Sequence, residues 1–368
     1  MISFEIIKDI NKWQDIYDTT AYFHGKAYYS PLYCKAIENN GEGEACLCYC
    51  ELDTTNGKVQ ILYPFILKKI PEELTKDLSP EPLYDIESPY GYGGPMILLE
   101  DGYVYSENRE PSDDIARIFT NEFLKYAEKE HIVAEFVRFN PITMNHNLFI
   151  SHYSIYLNRR TVCINTAQSF ERMLSSASSA RRRNYYKAQD CGVQVGWFPL
   201  SDKDAMECFR KLYDTTMNRL DADKYYHFSD AYFNTLAQLP EEDAVIGIAA
   251  FEERPIGAIL LLTDGMSAHY HLGGSDEEYK NLQPTSLLLW EAARVANLCN
   301  LECLHLGGGL SLDENDNLFA YKKGFSNQVK EFYIGKRIFN PILYYSISDA
   351  WVAKTGKTPK IHLHYHSL

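Results

Sequence analysis

The sequence contains none of the short motifs that mark the common metal, nucleotide and nucleophile sites. There is no HExxH pair, no Walker loop, no Rossmann glycine pattern and no Ser-His-Asp order. A C-x-x-C pair is also missing, so no zinc or other metal site is expected. Because no activated nucleophile is evident, any group transfer is expected to proceed by direct attack.

Long apolar stretches are also missing. No run approaches the roughly 20 residues that span a bilayer, and the start Met1-Ile2-Ser3-Phe4-Glu5 lacks the regions of a signal peptide. The nine cysteines are odd in number and scattered, which fits reduced thiols. Cys46, Cys48 and Cys50 alternate, so we expect them on one buried strand face. Together these features predict a cytoplasmic protein without a membrane span.

Positive charge is scarce overall, since the net charge is −14. Such a balance argues against a broad nucleic-acid-binding face, and DNA is not an expected partner. It leaves room for a small local basic patch. Aromatic residues are abundant, with 28 Tyr and 18 Phe, and they indicate large cores, ring-lined clefts, or both. Nothing in the sequence indicates an oligomeric state.

A chain of 368 residues exceeds what one hydrophobic core usually organises. Both halves show helices, then a meander of strands, then a helix and a strand, although no residue-level repeat exists. We therefore expect an α+β protein of two duplicated domains, each a mostly antiparallel sheet flanked by helices. The predicted domains are 1–160 and 161–345, followed by a C-terminal tail at 346–368.

Periodicity also predicts individual elements. The main predicted helices are 10–20, 31–39, 112–130, 177–189, 201–220 and 284–299, and the main predicted strands are 45–51, 59–68, 134–139, 193–197, 244–251, 256–263, 268–272 and 303–306. Asn56-Gly57 adds a strong hairpin signal between two of these strands.

The most informative feature lies near the end of the chain. An apolar strand runs into Gly307, Gly308 and Gly309, and Tyr321-Lys322-Lys323-Gly324-Phe325 follows a dozen residues later. Glycine lets the backbone approach a ligand, and a nearby lysine can hold a phosphate, a carboxylate or a developing oxyanion. The simpler interpretation is a tight turn leading into an ordinary surface strand. The acids Asp313, Glu314 and Asp316 between the two motifs are candidate bases or amine anchors.

Two further segments carry possible ligand contacts. On the predicted helix 177–189, Arg183 and Lys187 lie one turn apart on one face, where they can bind phosphate or face solvent. Gln283-Pro284-Thr285-Ser286 opens the next long helix, whose free N–H groups can take an anion.

Tyr90 and Tyr92 lie between glycines and are suited to the wall of a cleft, or to holding an inter-strand loop. His271 shares a strand face with His269, so one of them can reach a cleft, although buried core histidines are more common.

Taken in order, these segments resemble the FemAB-like branch of the GNAT superfamily. The ordered set is the Tyr-Gly loop 88–95, then Arg183–Val193, Gln283–Ser286, His305–Gly309 and Tyr321–Phe325. The resemblance covers most of the chain and implies two tandem GNAT-like domains. Fem-type members move an amino acid from aminoacyl-tRNA onto the amine of a cell-wall precursor peptide.

In that family a Phe-Lys pair near the C-terminus serves the transfer, and the lysine offsets charge on the reacting carbonyl. The pair corresponds to Tyr321 and Lys322 here, with Phe replaced by Tyr, while adjacent Lys323 leaves the choice of lysine open. The resemblance implies no cofactor beyond the acyl donor. The long coiled-coil insertion of some members has no counterpart.

Three functions stay open from the sequence. The first is acyl or aminoacyl transfer, with charged tRNA as a possible donor, onto a small-molecule, peptidoglycan or polysaccharide precursor. The second is acetyl-CoA-dependent N-acetylation, which the missing glycines of the Gln283–Ser286 loop disfavour. The third is a binding module that kept the fold and lost the chemistry.

Overall fold

The computed structural model describes residues 2–19, 26–54, 57–99, 113–313 and 315–367. These residues form two compact units. Unit 1 comprises 1–16, 41–157 and 332–368, and unit 2 comprises 17–40 and 158–331. Each unit is therefore built from separate stretches of the chain.

Thirteen strands and eleven helices are found in the described residues. The strands are β1 (Ile2–Ile7), β2 (Glu44–Thr54), β3 (Gly57–Lys69), β4 (Tyr84–Glu87), β5 (Met96–Leu99), β6 (Ile132–Arg138), β7 (Ser154–Asn165), β8 (Gln194–Pro199), β9 (Ala244–Phe251), β10 (Arg254–Thr263), β11 (Ser267–Ser275), β12 (Cys303–Gly308) and β13 (Gln328–Ile338). The helices are α1 (Ile10–Thr19), α2 (Pro31–Asn39), α3 (Glu72–Thr75), α4 (Asp113–Lys129), α5 (Phe170–Ser176), α6 (Ser179–Asp190), α7 (Lys203–Arg219), α8 (Asp230–Leu236), α9 (Pro284–Leu298), α10 (Asn317–Lys323) and α11 (Pro341–Thr355).

The sheet of unit 1 has the strand order β1-β2-β3-β4-β6-β13, and β5 adds to β3. All of these pairs are antiparallel except β4 with β6. Phe119 and Phe123 of α4 pack on one face of the sheet. Cys46, Cys48 and Cys50 lie in the same cluster and are fully buried, so the predicted one-sided burial of these thiols is confirmed.

A buried ionic network crosses the core of unit 1. Arg337 donates from Nε to Glu135 Oε2 at 2.8 Å, and Tyr63 and Tyr153 donate to Glu135 Oε1 at 2.7 and 2.9 Å. Glu135 is fully buried, and its carboxylate is thereby held by a guanidinium and two hydroxyl groups. A charge removed from water requires this kind of complete pairing.

The segment predicted as a tail is folded in unit 1. Residues of α11 and of 361–367 join a core cluster that includes Trp351 and Tyr365. The buried carboxylate of Asp85 accepts hydrogen bonds from the Tyr365 hydroxyl group and the Ala134 N–H, and it contacts His366 Nε2 at 2.8 Å. Packing and hydrogen bonding of this kind fix a chain end that would otherwise be loose.

The sheet of unit 2 has the order β7-β12-β11-β10-β9-β8, and β11 with β12 is its parallel pair. Helix α9 is apolar nearly all round, and its Leu288, Leu289 and Trp290 are fully buried against the sheet. A helix of this composition belongs in a core. Helix α6 covers it with Tyr185 and Ala188.

The fold class is confirmed, since each unit has a mostly antiparallel sheet flanked by helices. The predicted long helices match α1, α2, α4, α6, α7 and α9 within three residues. Residues 17–40 group with unit 2 and 332–345 with unit 1, unlike the continuous ranges predicted for the domains. Residues 317–323 form helix α10 and not a strand. Asn56 of the predicted hairpin turn lies outside the described residues.

Among the described helices, none combines the length and apolar character needed to cross a membrane.

Replacing Arg337 by Met is expected to lower the free energy of unfolding by about 3–5 kcal/mol, because it leaves the Glu135 carboxylate buried without its cation. Urea denaturation of both proteins measures the difference. The matched control is Lys8→Met, which removes an exposed ion pair to Glu44 and should cost less than about 1 kcal/mol. Equal losses for the two variants would contradict the role assigned to the network.

Candidate functional site

The two parallel strands of unit 2, β11 and β12, are paired over only the first part of their length. β11 and β12 pair in three rows, of which His269 with His305 is the last, yet β11 runs on to Ser275 and β12 to Gly308. Beyond that row β11 stays with β10, and β12 stays with β7. We call the space flanked by β11 from Tyr270 and by β12 from Leu306 the strand gap. Backbone groups facing a gap of this kind are not paired with each other and can bind a ligand.

Lys322 of α10 reaches this gap. Its Nζ donates a hydrogen bond of 2.8 Å to the carbonyl oxygen of Gly308 and lies 5.7 Å from the ring centroid of Tyr270. The side chain thus touches one residue of each strand beside the gap. Only 8% of Lys322 is exposed, whereas the adjacent Lys323 is exposed and faces away from the site.

Burial and the nearby charge of Arg159 lower the pKa of Lys322 to about 8, against the opposing effect of Asp316. The amine is therefore still mostly charged at neutral pH. An ammonium group has three N–H donors. Among the described residues, Lys322 Nζ donates to one acceptor, the Gly308 carbonyl oxygen. Two of the three N–H donors of the ammonium therefore remain for a bound group.

Asp316 fixes α10 to the glycine loop. As the N-cap residue of α10 it accepts from the N–H of Phe319 at 2.9 Å, and its other oxygen accepts from Leu310 and Ser311. These backbone donors lower the pKa of Asp316. Because its oxygens already accept from backbone N–H groups, we assign Asp316 a structural role, in which it holds α10 against the glycine loop. Glu314, also considered as a base, lies outside the described residues.

The glycines after β12 are required by close approach. A Cβ atom at Gly308 would lie 2.6 Å from the carbonyl oxygen of Arg160, and one at Gly309 would lie 2.5 Å from the carboxyl carbon of Asp316. The Gly309 carbonyl accepts from Arg159 Nη1 at 2.9 Å. The carbonyls of this loop therefore face cations, an arrangement that holds a site together and does not resemble a phosphate cradle.

Tyr321 connects α10 to the beginning of α9. Its hydroxyl oxygen lies 3.2 Å from Ser286 Oγ, and the guanidinium of Arg181 lies 4.3 Å from its ring centroid. Burial raises the pKa of Tyr321, so the phenol keeps its proton and remains a donor. Neighbouring positions of α10 thus contact two different elements, Tyr321 at the beginning of α9 and Lys322 at the end of β12.

The other residues that the sequence suggests as ligand contacts lie elsewhere in the fold. Arg183 and Lys187 are exposed on one face of α6, as their spacing predicts, and they lie away from the packed side of the helix. Tyr90 and Tyr92 belong to unit 1, where the Tyr92 ring meets Phe332 at 5.2 Å.

His271 packs among rings and not beside Lys322. Its Nε2 lies 3.3 Å from the Tyr232 hydroxyl group, and its ring contacts Tyr28 and Tyr33. Burial, helped by His269, lowers the pKa of His271 to about 3, so the ring is neutral. The structure therefore brings Lys322 and the glycines together, places the Tyr321 hydroxyl group at Ser286 of α9, and leaves His271 in an aromatic cluster.

Several residues of the site gave no sequence signal strong enough to select them. Arg159 lies in β7, far from the glycines in sequence, and Arg181 lies on α6, where the sequence analysis selected Arg183 and Lys187 instead. Ser286 and Tyr270 are ordinary residues of a helix and a strand. For Asp316, its position three residues before Phe319 at a helix start is a usable capping signal.

The entrance of α9 differs from an open anion site. Gln283 takes a left-handed conformation with φ of 61°, and Pro284 has no N–H to offer. Asp276, Glu277 and Glu278 lie earlier in the preceding segment, where they form ion pairs with Arg254, Arg219 and Lys280. The beginning of α9 therefore offers neither a glycine nor an N–H group at its first helical position.

The pKa of Lys322 has a consequence for stability that can be measured. An unfolded lysine has a pKa of about 10.4. Between pH 8 and 10 the unfolded chain therefore binds more protons at Lys322 than the folded chain, and folding gains stability as the pH rises. Relative to Lys322→Met, the wild type should gain on the order of 2 kcal/mol across this window.

Denaturant unfolding of both proteins at pH 7, 8, 9 and 10 measures this difference, since other groups titrate equally in each. Lys323→Met is the control. Because Lys323 is exposed, the difference in unfolding free energy between the wild type and this variant should not change with pH. If the Lys322→Met curve runs parallel to the wild type, the ammonium is not buried as described.

Comparison with known proteins agrees with this geometry. The sequence model of the GNAT acetyltransferase domain matches residues 177–323, which include α6, α9, the glycines and Lys322. None of the curated proteins matches the sequence.

Solved structures show the same fold at low sequence identity. FemX superposes with a TM-score of 0.66 at 13% identity, over 93% of this chain and 99% of its own. The C-terminal domain of a putative lysylphosphatidylglycerol synthetase from Agrobacterium fabrum gives 0.55 at 11% identity, over 96% and 100%. A conserved protein of unknown function from Bacteroides thetaiotaomicron gives 0.54 at 10% identity, over 91% and 99%. The chain therefore has the fold of FemX, and its residues 177–323 match the sequence model of the GNAT acetyltransferase domain.

Proposed function

We propose that the protein transfers an acyl or aminoacyl group to an amine of a cell-envelope or polysaccharide precursor, with Lys322 stabilising the oxyanion. The observation that carries this proposal is the ammonium of Lys322, buried beside the strand gap with two N–H donors left for a ligand. A fixed cation in a site sheltered from water interacts strongly with charge that develops during reaction.

The proposed reaction has two steps, attack by the amine and collapse of the intermediate. The amine nitrogen attacks the acyl carbonyl, a C–N bond forms, and the carbonyl oxygen becomes negative. When the intermediate collapses, the bond to the donor oxygen or sulfur breaks and the nitrogen loses a proton. In this proposal Lys322 binds the negative oxygen, and the Tyr321 hydroxyl group, which keeps its proton because burial raises its pKa, is a further donor for the substrate.

Charged tRNA is the donor that we favour, with no further cofactor. Pro284 at the beginning of α9 and the missing glycines of the Gln283–Ser286 loop weigh against the pyrophosphate of CoA. The exposed Arg183 and Lys187 on α6 offer a small basic surface for phosphates in a protein of charge −14.

The acceptor class follows from the resemblance to Fem-type enzymes, and the name FemX among the structural neighbours supports it. A peptidoglycan precursor peptide is the first acceptor to test, followed by amino sugars of polysaccharide precursors. The name of the second neighbour, a putative lysylphosphatidylglycerol synthetase, likewise refers to an aminoacyl group.

Acetyl-CoA-dependent N-acetylation is the second candidate. It is favoured by the match of residues 177–323 to an acetyltransferase domain. Isothermal titration separates the two, because micromolar binding of acetyl-CoA would support N-acetylation and count against the tRNA-dependent reaction.

Transfer from radiolabelled aminoacyl-tRNA to a peptidoglycan precursor peptide tests the proposed reaction directly. Lys322→Ala should lower kcat by about 10²-fold or more, since a donor to an oxyanion is removed. Lys323→Ala is the matched control and should keep wild-type activity, because its side chain is exposed. Full activity of Lys322→Ala would overturn the assignment.

The pH profile gives an independent check. Stabilising an oxyanion requires the charged lysine, so kcat should fall as the pH rises through about 8, the pKa of Lys322. Lys322→Arg should move this fall to higher pH, because arginine stays charged. A rate that instead rises through pH 8 would assign Lys322 the role of a base.

A further inference from the structure

Tyr270 is the first residue of β11 beyond the rows in which that strand pairs with β12, so it begins the strand gap. Along its other edge β11 pairs with β10, where Tyr270 lies opposite the buried Leu261. Residues directly opposite each other in an antiparallel pair point to the same face. Leu261 belongs to the core cluster that contains the buried side of α9, and Tyr270 and Tyr321 pack against that cluster. Tyr270 therefore lies on the face of the sheet that carries α9 and α10.

The Tyr270 side chain lies along its own strand and close to the lysine of α10. A Cβ atom at Gly273 would lie 2.5 Å from the Tyr270 hydroxyl oxygen and 2.8 Å from a ring carbon, so the glycine leaves room for the ring. The ring centroid is 5.7 Å from Nζ of Lys322. An ammonium at this distance is attracted to the face of an aromatic ring. Gly273 and Lys322 therefore fix the position of the ring beside the strand gap.

The hydroxyl group of Tyr270 has no hydrogen-bond partner among the described residues. It does not belong to the unpaired polar atoms that are closed to solvent in that part of the chain, so it is accessible at the end of a half-buried side chain. Burial and the nearby Tyr321 raise the pKa of Tyr270, and the phenol therefore keeps its proton. A neutral hydroxyl group of this kind can both donate and accept a hydrogen bond.

Other tyrosines of the two cores differ from Tyr270 in this respect. The hydroxyl groups of Tyr63, Tyr153 and Tyr185 each form a hydrogen bond with another side chain. A buried tyrosine usually has such a partner, because an unpaired hydroxyl group has lost hydrogen bonds to water without replacing them. The free hydroxyl group near Lys322 is therefore suited to a ligand that supplies the missing partner.

We propose that Tyr270 is a specificity-determining residue, whose hydroxyl group binds the amino group on the α-carbon of an aminoacyl donor and so distinguishes this donor from a simple acyl donor. The proposal rests on the proposed function, which supplies the donor and places the reacting carbonyl oxygen at Lys322. Tyr270 contacts the substrate through this one hydrogen bond and takes no part in making or breaking covalent bonds.

The position of Lys322 decides which part of the substrate Tyr270 can reach. In the proposed reaction the carbonyl oxygen of the acyl group binds to Nζ of Lys322, and the Tyr270 ring is 5.7 Å from the same atom. The groups within a few bonds of the carbonyl carbon are therefore the ones that lie near the ring. An aminoacyl group has an amine on the adjacent carbon, whereas an acetyl group has only C–H bonds there.

The charge of Lys322 also determines how the amine binds. Two ammonium groups at short range repel each other, so the amine is bound in its neutral form. Its nitrogen then accepts a hydrogen bond from the Tyr270 hydroxyl group, which keeps its proton. A hydroxyl group on the same carbon of the substrate can accept the same bond. An acyl group without an acceptor displaces water and leaves the Tyr270 hydroxyl group unpaired, which is unfavourable.

Three donors of similar size test the proposal in the transferase assay. Alanyl-, 2-hydroxypropionyl- and propionyl-tRNA differ only at the α-carbon, which carries an amine, a hydroxyl group or a hydrogen atom. The wild type should use the first two with a kcat/KM about 10- to 100-fold above the third. Tyr270→Phe should lose this preference, with kcat/KM lowered for the first two donors and unchanged for the third. An equal loss for all three donors, or no loss, would overturn the proposal.

Two further variants separate the hydroxyl group from general effects on the site. Gly273→Ala keeps the hydroxyl group but displaces it, because the added Cβ meets the Tyr270 ring, so the donor preference should be lost here as well. Tyr279→Phe is the matched control. It removes a hydroxyl group from another tyrosine packed against the same cluster and should keep the wild-type preference. Thermal melts verify that each variant is folded.

The pH profile shows whether Tyr270 acts on the substrate or through Lys322. In Tyr270→Phe the ring that contacts Lys322 is retained, so the fall of kcat near pH 8 should stay where it is in the wild type. A shift of this fall would mean that the hydroxyl group acts on the lysine, which contradicts its role as a substrate contact.

Binding measurements separate this proposal from the proposed function. Alanyl- and propionyl-adenosine analogues with an amide in place of the 3′ ester are used, because their acyl groups are not transferred. A wild type that transfers nothing from tRNA, but binds the alanyl analogue more tightly by isothermal titration and loses this difference in Tyr270→Phe, overturns the proposed function and supports the assignment of Tyr270. An active wild type whose donor preference persists in Tyr270→Phe overturns that assignment alone. Absence of both transfer and a difference in binding overturns both.

Discussion

The hydrogen bond from Lys322 to the Gly308 carbonyl is the contact on which the rest of the site depends. Burying an ammonium is unfavourable, as its lowered pKa shows, and one backbone acceptor compensates for only part of the cost. The surrounding features serve to hold this arrangement. Glycines let the loop approach Arg160 and Asp316, and Asp316 ties the loop to the helix that carries the lysine. An unfavourable burial of this kind is common at functional sites, where activity is retained at some cost in stability.

The parallel strand pairs of the two units differ in how far their pairing extends. In unit 1, pairing of β4 with β6 continues past Glu87 because Ser88 bonds to Phe136 and Arg138, and Gly93 donates to the Arg138 carbonyl. In unit 2 the corresponding pairing stops at His269 and His305 while both strands continue. A closed ladder satisfies its own backbone groups, whereas an open one leaves them for a ligand. The site therefore belongs to unit 2, and the Tyr90–Tyr92 loop of unit 1 completes a sheet.

The sequence predicted what local patterns determine. Helices such as α1 and α7 follow from periodicity, and the buried cysteines of β2 follow from alternation. It also selected Lys322 and the glycines, because their order along the chain is distinctive. The grouping of 17–40 with unit 2 depends on contacts between distant segments, which no local pattern encodes. The same reason hides Arg159, and only packing distinguishes the buried Lys322 from the exposed Lys323.

The charge of Lys322 fits the two charges that the proposed transfer would create. In that reaction the attacking amine gives a negative oxygen, which the Lys322 ammonium would attract, and a positive nitrogen, which it would repel. Loss of the nitrogen's proton on the side away from the lysine would therefore lower the energy of the intermediate. One buried cation can act in this way even in a protein whose net charge is strongly negative, because its field is strong only at short range.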